Sequence, residues 1–173
     1  MMGAKMTLRI LGVDPGTLNM GYGIVEEDSA TLKALTSGSL TASKNLTLGE
    51  RLHQLYIALI QIVDEWHPSE IAVEEPFVAK NVRSALAVGQ AQGVALMAAA
   101  SRSIPLYRYS PREIKLAVTA SGAGSKEQVK TMVVMQLNVT ECLTSTDASD
   151  ALAVALCHLQ HRSLRGILSA MEL

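Results

Sequence analysis

The chain has 173 residues, of which 49% are apolar and 18% are charged, and its formal net charge is −1. This composition is typical of a globular protein with a sizeable core and excludes a disordered chain. No apolar run is long enough to cross a membrane and no secretory signal precedes the first predicted strand, so we expect a cytoplasmic protein. We predict a single domain over residues 1–173, with a flexible start at 1–6 and a C-terminal tail at 164–173.

Charge is unevenly distributed along the chain. Residues 80–130 contain eight basic and two acidic side chains, whereas the remainder contains seven basic and fourteen acidic ones, which gives +6 and −7. This segregation predicts a positive surface beside a negative pocket, an arrangement that suits a polyanion held over metal ions. A basic solvated surface with no ligand would give the same count.

Three strands are predicted at the start of the chain, over 7–14, 20–26 and 31–40. The first is a continuous apolar run, as expected of a buried strand. Gly16 and Gly21 punctuate the first turn, as a tight hairpin requires.

A helix and a short strand are predicted next. Thr47 and Glu50 form a capping box, and the helix that it opens carries one apolar face as far as Trp66. Pro68 ends this helix. A short buried strand follows at 71–74.

The second predicted helix, over 83–103, contains Gly89 and Gly93 four residues apart. Glycine costs helix propensity, so we expect a close neighbour to need the space. That neighbour is a strand, another helix, or the same helix of a second subunit.

The last predicted elements are a strand at 105–109, a helix capped by Ser110, a helix from Ser125 to 137, and a helix over 147–162. The order βββ-α-β-α-β followed by helices predicts an antiparallel meander that right-handed crossovers join to parallel strands.

Four carboxylates lie at the ends of three apolar segments. Asp14 and Glu74 each end a predicted strand, and Asp147 and Asp150 open the last helix. A buried carboxylate is costly unless it is paired or bound to a metal. Each has a simpler explanation, as a turn aspartate, a buried acid beside the solvated Glu75, or helix-capping acids. The three placements together favour one cation site.

The ligands in this predicted site are carboxylates, with no His or Cys cluster nearby, which indicates Mg²⁺ or Mn²⁺ rather than zinc. Two such ions about 4 Å apart can clamp a phosphate and activate water, so the predicted reaction is phosphodiester hydrolysis. His158 lies about 16 Å of helical rise beyond Asp147. We therefore predict a packed or surface histidine, with a role near Asp150 as the alternative.

Phe77 is the only phenylalanine in the chain and lies in a predicted loop just before basic residues. An aromatic side chain in this setting can stack on an unpaired base or anchor the loop by packing. Lys115 and Lys126 flank a glycine-containing turn, where they can contact phosphates or remain solvated. The predicted nucleic-acid contacts are Phe77, Lys80, Arg83, Arg112, Lys115 and Lys126.

Seven motifs follow one another between residues 8 and 160: ILGVDPG at 10–16, AVE at 72–74, FVAKN at 77–81, GQAQG at 89–93, YSPREIK at 109–115, KEQV at 126–129 and DASDALA at 147–153. As an ordered set, these motifs resemble those of the RuvC family of Holliday-junction resolvases.

The resemblance implies a ribonuclease H-like α/β fold, with helices flanking a five-stranded mixed sheet. It also implies a homodimer that makes paired, symmetric nicks in a four-way DNA junction during recombination and DNA repair, with a branch-migration helicase as partner. The catalytic acids that would bind Mg²⁺, with two ions per site and Mn²⁺ as a substitute, are Asp14, Glu74, Asp147 and Asp150. The base-contacting aromatic residue and the phosphate-contacting bases would be Phe77, Lys115 and Lys126.

Three alternatives remain open at this point. Another ribonuclease H-like nuclease could act on RNA, hybrids or single strands. An actin-like ATPase or sugar kinase needs a second domain for which 173 residues leave no room. Four intact acids argue against an inactive DNA-binding module. The chain departs from the family in its mild net acidity and in residues 120–124, which are less basic and less glycine-rich than is usual there.

Overall fold

The computed structural model describes residues 7–28, 31–75, 82–139 and 145–171. The strands are β1 (Leu8–Asp14), β2 (Asn19–Asp28), β3 (Thr31–Thr41), β4 (Glu70–Glu74) and β5 (Leu106–Tyr109). The helices are α1 (Leu48–Trp66), α2 (Val82–Ser101), α3 (Pro111–Thr119), α4 (Lys126–Leu137) and α5 (Thr146–Met171). The predicted order of elements is confirmed.

The strands form one mixed sheet in the order β3-β2-β1-β4-β5. The pairs β1–β2 and β2–β3 are antiparallel, whereas β1–β4 and β4–β5 are parallel. The carboxyl ends of β1, β4 and β5 therefore lie at the same edge of the sheet. The predicted five-stranded mixed sheet is confirmed.

Each face of the sheet has its own core, because alternate residues of a strand project to opposite faces. Leu11 and Val13 of β1 pack with buried residues of α1 and α2. Ile10 of the same strand belongs to the core that covers the other face with α3, α4 and α5. The sheet is thus a middle layer, and its carboxyl edge is left open between the two helical layers.

Capping boxes begin three of the helices. Thr47, Ser110 and Ser125 each accept a hydrogen bond from the backbone N–H three residues later, and the side chain at that position bonds back. A cap of this kind stabilises a helix by about 1 kcal/mol. The caps at Ser110 and Ser125 fix where α3 and α4 begin.

Helix α5 lies directly on β1 and β2 because glycines face it. A Cβ atom added at Gly12 would lie 2.0 Å from the carbonyl oxygen of Ala151. One added at Gly23 would lie 2.7 Å from the side chain of Leu152. The prediction that Gly21 punctuates the first turn is wrong, because Gly21 lies within β2, opposite Asp14.

The predicted end of the last helix is also wrong. Helix α5 continues past Arg162 to Met171, so most of the segment predicted as a C-terminal tail is helical. Leu164, Ile167 and Leu168 in this extension are exposed. Their spacing is helical, but no core covers them, and the sequence prediction stopped where the buried face stops. None of the described helices combines the length and the apolar character needed to span a membrane.

Candidate active site at the carboxyl edge of the sheet

Three elements bring the four predicted acids to the same edge. Asp14 and Glu74 are the last residues of the adjacent parallel strands β1 and β4. Asp147 and Asp150 lie in the first turns of α5, which crosses the sheet beside them. Both aspartates act electrostatically on Asp14, which shows that the four carboxylates share one environment.

An open pocket of about 280 Å³ lies at this edge. Its lining combines acidic side chains with two bases and with apolar walls from α2, α3 and α4. The lining residues are Asp14, Pro15, Glu74, Glu75, Val88, Pro111, Ile114, Lys115, Lys126, Val129, Asp150 and Ala153. The pocket therefore joins three of the four predicted acids, Asp14, Glu74 and Asp150, to both lysines that were predicted to contact phosphates, whereas Asp147 is not part of its lining.

Burial and mutual repulsion shift the two strand-end acids strongly. Burial, followed by the charges of Asp150 and Asp147, raises the pKa of Asp14 from 3.8 to about 6. Burial and the charges of Asp14 and Asp150 raise the pKa of Glu74 from 4.5 to about 7. The two carboxyl groups also share a hydrogen bond, which favours ionised Asp14 and protonated Glu74. Between about pH 6 and pH 7, Asp14 is therefore ionised while Glu74 keeps its proton.

The chemistry of these donors fits a hard divalent cation, which binds carboxylate oxygens. The proton on Glu74 supplies part of the positive charge that a cation would supply. Within the described residues, no three or more His, Cys, Asp and Glu side chains are already arranged around one metal position. A cation bound here would take the place of the proton that the raised pKa keeps on Glu74.

Three hydrogen-bonding groups support this edge. The Ser39 hydroxyl donates to Oδ2 of Asp147 at 2.9 Å, and Lys126 Nζ lies 3.4 Å from Oδ2 of Asp150. The buried Gln92 side chain of α2 donates to the carbonyl oxygen of Glu74 at 3.2 Å. Neither the role of Ser39 nor the contact of Gln92 is predicted by a local sequence pattern, because both depend on partners far away in the chain.

The predicted nucleic-acid contacts are spread over three helices. Arg83 is exposed on α2, Arg112 is exposed on α3, and Lys126 is exposed on α4. Lys115 of α3 is half-buried at the pocket. The remaining two predicted contacts, Phe77 and Lys80, lie outside the described residues.

His158 belongs to a separate buried network further along α5. Its Nδ1 accepts a hydrogen bond from the Tyr109 hydroxyl at 2.8 Å, and its Nε2 donates to Glu70 at 2.5 Å. Arg162 donates to the other oxygen of Glu70 at 3.1 Å. Burial lowers the pKa of His158 despite the opposing effect of Glu70. The histidine is therefore neutral and packed at pH 7, which confirms the packed alternative and gives it no place among the four acids.

A five-stranded mixed sheet with carboxylates at two parallel strand ends, faced by two more on a crossing helix, is the architecture of a ribonuclease H-like nuclease. Residues 10–158 match the family described as Crossover junction endodeoxyribonuclease RuvC. The RuvC of Dehalococcoides mccartyi is 46% identical over 162 residues, which cover 94% of this chain and 98% of that relative. The chain thus belongs to the RuvC family of crossover junction endodeoxyribonucleases, which are hydrolases.

Solved structures agree with this assignment. T. thermophilus RuvC in complex with Holliday junction substrate has a TM-score of 0.84 and 30% identity, and the match covers 91% of this chain and 96% of that one. The yeast mitochondrial Holliday junction resolvase has a TM-score of 0.64 at 18% identity, with 95% of this chain and 86% of that one covered. The second likeness concerns the fold alone.

Proposed function

We propose that this chain resolves Holliday junctions by metal-dependent hydrolysis of phosphodiester bonds, with paired and symmetric nicks. The observation that carries the chemistry is the meeting of Asp14, Glu74 and Asp150 at one open pocket, where the pKa values of Asp14 and Glu74 are raised to about 6 and about 7. Strongly shifted acids in a cleft are typical of functional sites. The family match supports the choice of junction DNA over RNA, hybrids or single strands as the substrate.

The residues proposed to hold the metal are Asp14, Glu74, Asp147 and Asp150. All their ligand atoms are carboxylate oxygens, which favours Mg²⁺, two ions per site, with Mn²⁺ as a substitute. Divalent cations held there would activate water and neutralise charge that develops on the scissile phosphate.

The chain's own groups prepare this site in two ways. The raised pKa of Glu74 keeps a proton beside Asp14 up to about pH 7, and a bound cation would supply that positive charge instead. The positive charge of Lys126 lowers the pKa of both acids and so favours the ionised forms that bind a cation. Lys115 and Lys126 line the same pocket and are proposed to contact phosphate groups of the bound strand.

The proposed DNA surface combines this pocket with the basic stretch between residues 80 and 130, where the net charge is +6. Positive charge near the pocket would attract the four-way junction without requiring a particular base sequence. Arg83 and Arg112 are proposed to contact the DNA backbone. Phe77 keeps its predicted role of contacting a base, and Lys80 keeps its predicted role as a DNA contact.

We further propose that the chain acts as a homodimer through α2. Leu86, Leu96 and Met97 are exposed apolar residues of this helix. A Cβ atom added at Gly93 would meet nothing within 4 Å in the described chain. A second copy of the chain is therefore the neighbour that fits the unused space. The family resemblance also implies a branch-migration helicase as partner and a cytoplasmic place of action.

Cleavage of an end-labelled synthetic four-way junction in Mg²⁺ tests the proposed function. The junction core should carry several sequences, with plain duplex DNA as substrate control. Wild-type protein is expected to make paired nicks that can be religated, whereas Asp14→Asn is expected to bind the junction without cutting it. A folded Asp14→Asn protein that cuts at the wild-type rate, or that no longer binds, would contradict the proposal.

The dimer is tested by replacing Gly93 with leucine and measuring mass by analytical ultracentrifugation. Leucine improves helix propensity and has open space in the single chain, so the fold should persist while dimerisation weakens. Gly49→Leu on α1, where added atoms also meet nothing, is the matched control. Equal dimerisation of both variants would place the interface elsewhere.

A further inference from the structure

One row of residues crosses the sheet beside the candidate active site. Gly21 of β2 pairs with Asp14 of β1 on one side and with Ser39 of β3 on the other. Directly paired residues project from the same face of a sheet. Asp14 and Ser39 therefore share the face that α5 covers, and Gly21 leaves a gap between them.

The gap at Gly21 is filled by the backbone of α5. A Cβ atom added at Gly21 would lie 2.2 Å from the carbonyl oxygen of Asp147 and 3.2 Å from Cβ of Asp14. Within the described residues no glycine has a positive φ, so Gly21 is needed for space and not for backbone conformation. Any side chain here would push the first turn of α5 away from the end of β1.

Ser39 reaches across this gap to the same aspartate. Its hydroxyl donates to Oδ2 of Asp147 at 2.9 Å, which joins the third strand to the first turn of α5. The two residues are 108 positions apart in the chain. Since β3 is already paired with β2 along its length through backbone bonds, this hydroxyl is not needed to hold the strand.

We infer that Gly21 and Ser39 form a seat that positions Asp147 for cation binding. Gly21 sets the height of the Asp147 backbone above the sheet, and Ser39 fixes the orientation of its carboxylate. Neither residue touches substrate, so both are positioning residues. This inference rests on the proposed function, because it requires Asp147 to be a cation ligand.

The seat explains why two neighbouring aspartates of one helix are held differently. Lys126 is the basic partner of Asp150, at 3.4 Å, and its side chain is 75% exposed. A solvated lysine can leave the carboxylate when a cation arrives. Asp147 is instead held by a neutral hydroxyl, which orients the carboxylate and leaves its charge available. Hydrogen bonds to metal-binding carboxylates commonly tune affinity in this way.

The test is calorimetric titration of Mg²⁺ into full-length protein without DNA, with the melting temperature of the metal-free protein measured in parallel. Ser39→Ala is expected to weaken Mg²⁺ binding by about tenfold and to leave the melting temperature close to that of wild type. Gly21→Ala is expected to weaken binding further and also to lower the melting temperature. Gly49→Ala on α1, with open space around the added methyl group, is the control for a Gly-to-Ala change.

A double-mutant cycle separates positioning from general loss of structure. In an Asp147→Asn background, Ser39→Ala should have no further effect on Mg²⁺ affinity, because its hydroxyl acts through the carboxylate that has been removed. Equal Mg²⁺ affinity of wild type and Ser39→Ala would contradict the proposed positioning of Asp147 and would leave the proposed metal site intact. A wild-type protein that binds no Mg²⁺ would remove the metal site and the seat together.

Discussion

The two ends of β4 each carry a glutamate, and their environments differ. Glu70 accepts hydrogen bonds from His158 and Arg162, which hold its pKa below the ordinary value although burial alone would raise it. Glu74 lies among other acids, and burial together with Asp14 and Asp150 raises its pKa to about 7. On this five-residue strand, the negative charge of one glutamate is balanced by hydrogen-bond donors, whereas the other glutamate faces further negative charges.

The difference shows where the chain gives up stability. Buried carboxylates without partners are costly, and a structural network removes that cost with matched donors, as around Glu70. Within the described residues the Glu74 carboxylate has no matched donors of this kind, and its raised pKa lets it keep a proton that partly offsets the negative charge. A site of this kind is stabilised by an added cation, which is the property required of a metal-dependent nuclease.

The largest expected effect comes from replacing Glu74 with glutamine, and Glu70→Gln on the same strand is the matched control. Glu74→Gln should slow junction cleavage by roughly a thousandfold, because metal ions supply several kcal/mol of transition-state stabilisation. Glu70→Gln should leave the cleavage rate of the folded protein near that of wild type. Single-turnover cleavage of a labelled junction measures both, and equal losses in the two variants would mean that the ends of β4 do not differ in function.

Removal of the buried His158 should lower stability and spare activity, which is the reverse of the effect expected for Glu74→Gln. His158→Ala deletes a fully buried side chain, removes a hydrogen-bond partner of the Tyr109 hydroxyl and leaves Arg162 as the remaining donor to Glu70, which should cost about 3 kcal/mol of unfolding free energy. Cleavage by the folded fraction should persist. Urea denaturation gives the stability, with the half-buried His161 as the matched control for His→Ala on the same helix. Lost cleavage at unchanged stability would instead make His158 part of the active site.

The acids at the two ends of β4 should also change the stability of the protein in opposite directions as pH rises. The pKa values of Asp14 and Glu74 are raised on folding, so the folded protein binds more protons and stability falls as pH rises through about 6 and about 7. The rise in the pKa of Glu74 alone, from 4.5 to about 7, corresponds to a loss of about 3 kcal/mol. The pKa of Glu70 is lowered, so its contribution is present above its ordinary value and is lost on acidification.

Denaturation of the metal-free protein at successive pH values measures how the unfolding free energy changes with pH. Glu74→Gln should flatten the decline between pH 5 and 7, and Glu70→Gln should flatten the loss on the acidic side. If Glu74→Gln kept the full decline toward neutral pH, the proton on Glu74 would not be the cause of it.

Much of the fold could be predicted because local signals and tertiary packing agree. The apolar runs that end at Asp14 and Glu74, and the capping boxes at Thr47 and Ser110, gave element ends close to those observed. Parallel strand ends meet at one edge, so the grouping of the acids followed from the order of elements. The family and the sheet are confirmed, and the metal-binding and DNA-binding roles remain predictions.

The sequence could not predict the register in which β2 and β3 pair. Ser37 and Ser39 both lie on the same face of β3, and only the pairing of Gly21 with Ser39 decides which one reaches Asp147. The register of β2 and β3 shifts between Ile24 and Val25, and no local sequence pattern predicts this irregularity. The partners of His158 were missed for a related reason, since they lie 49 and 88 residues away in the chain.

The most direct test is calorimetric titration of Mg²⁺ at pH 6.5 in buffers that differ in ionisation enthalpy, which counts the protons released on binding. The proton that Glu74 keeps beside Asp14 should leave when the cation binds, so wild type should release about one proton, whereas Glu74→Gln should bind more weakly and release almost none. Glu70→Gln should behave as wild type. Mg²⁺ binding without proton release, or with the same release in Glu74→Gln, would contradict a cation site built on these two acids.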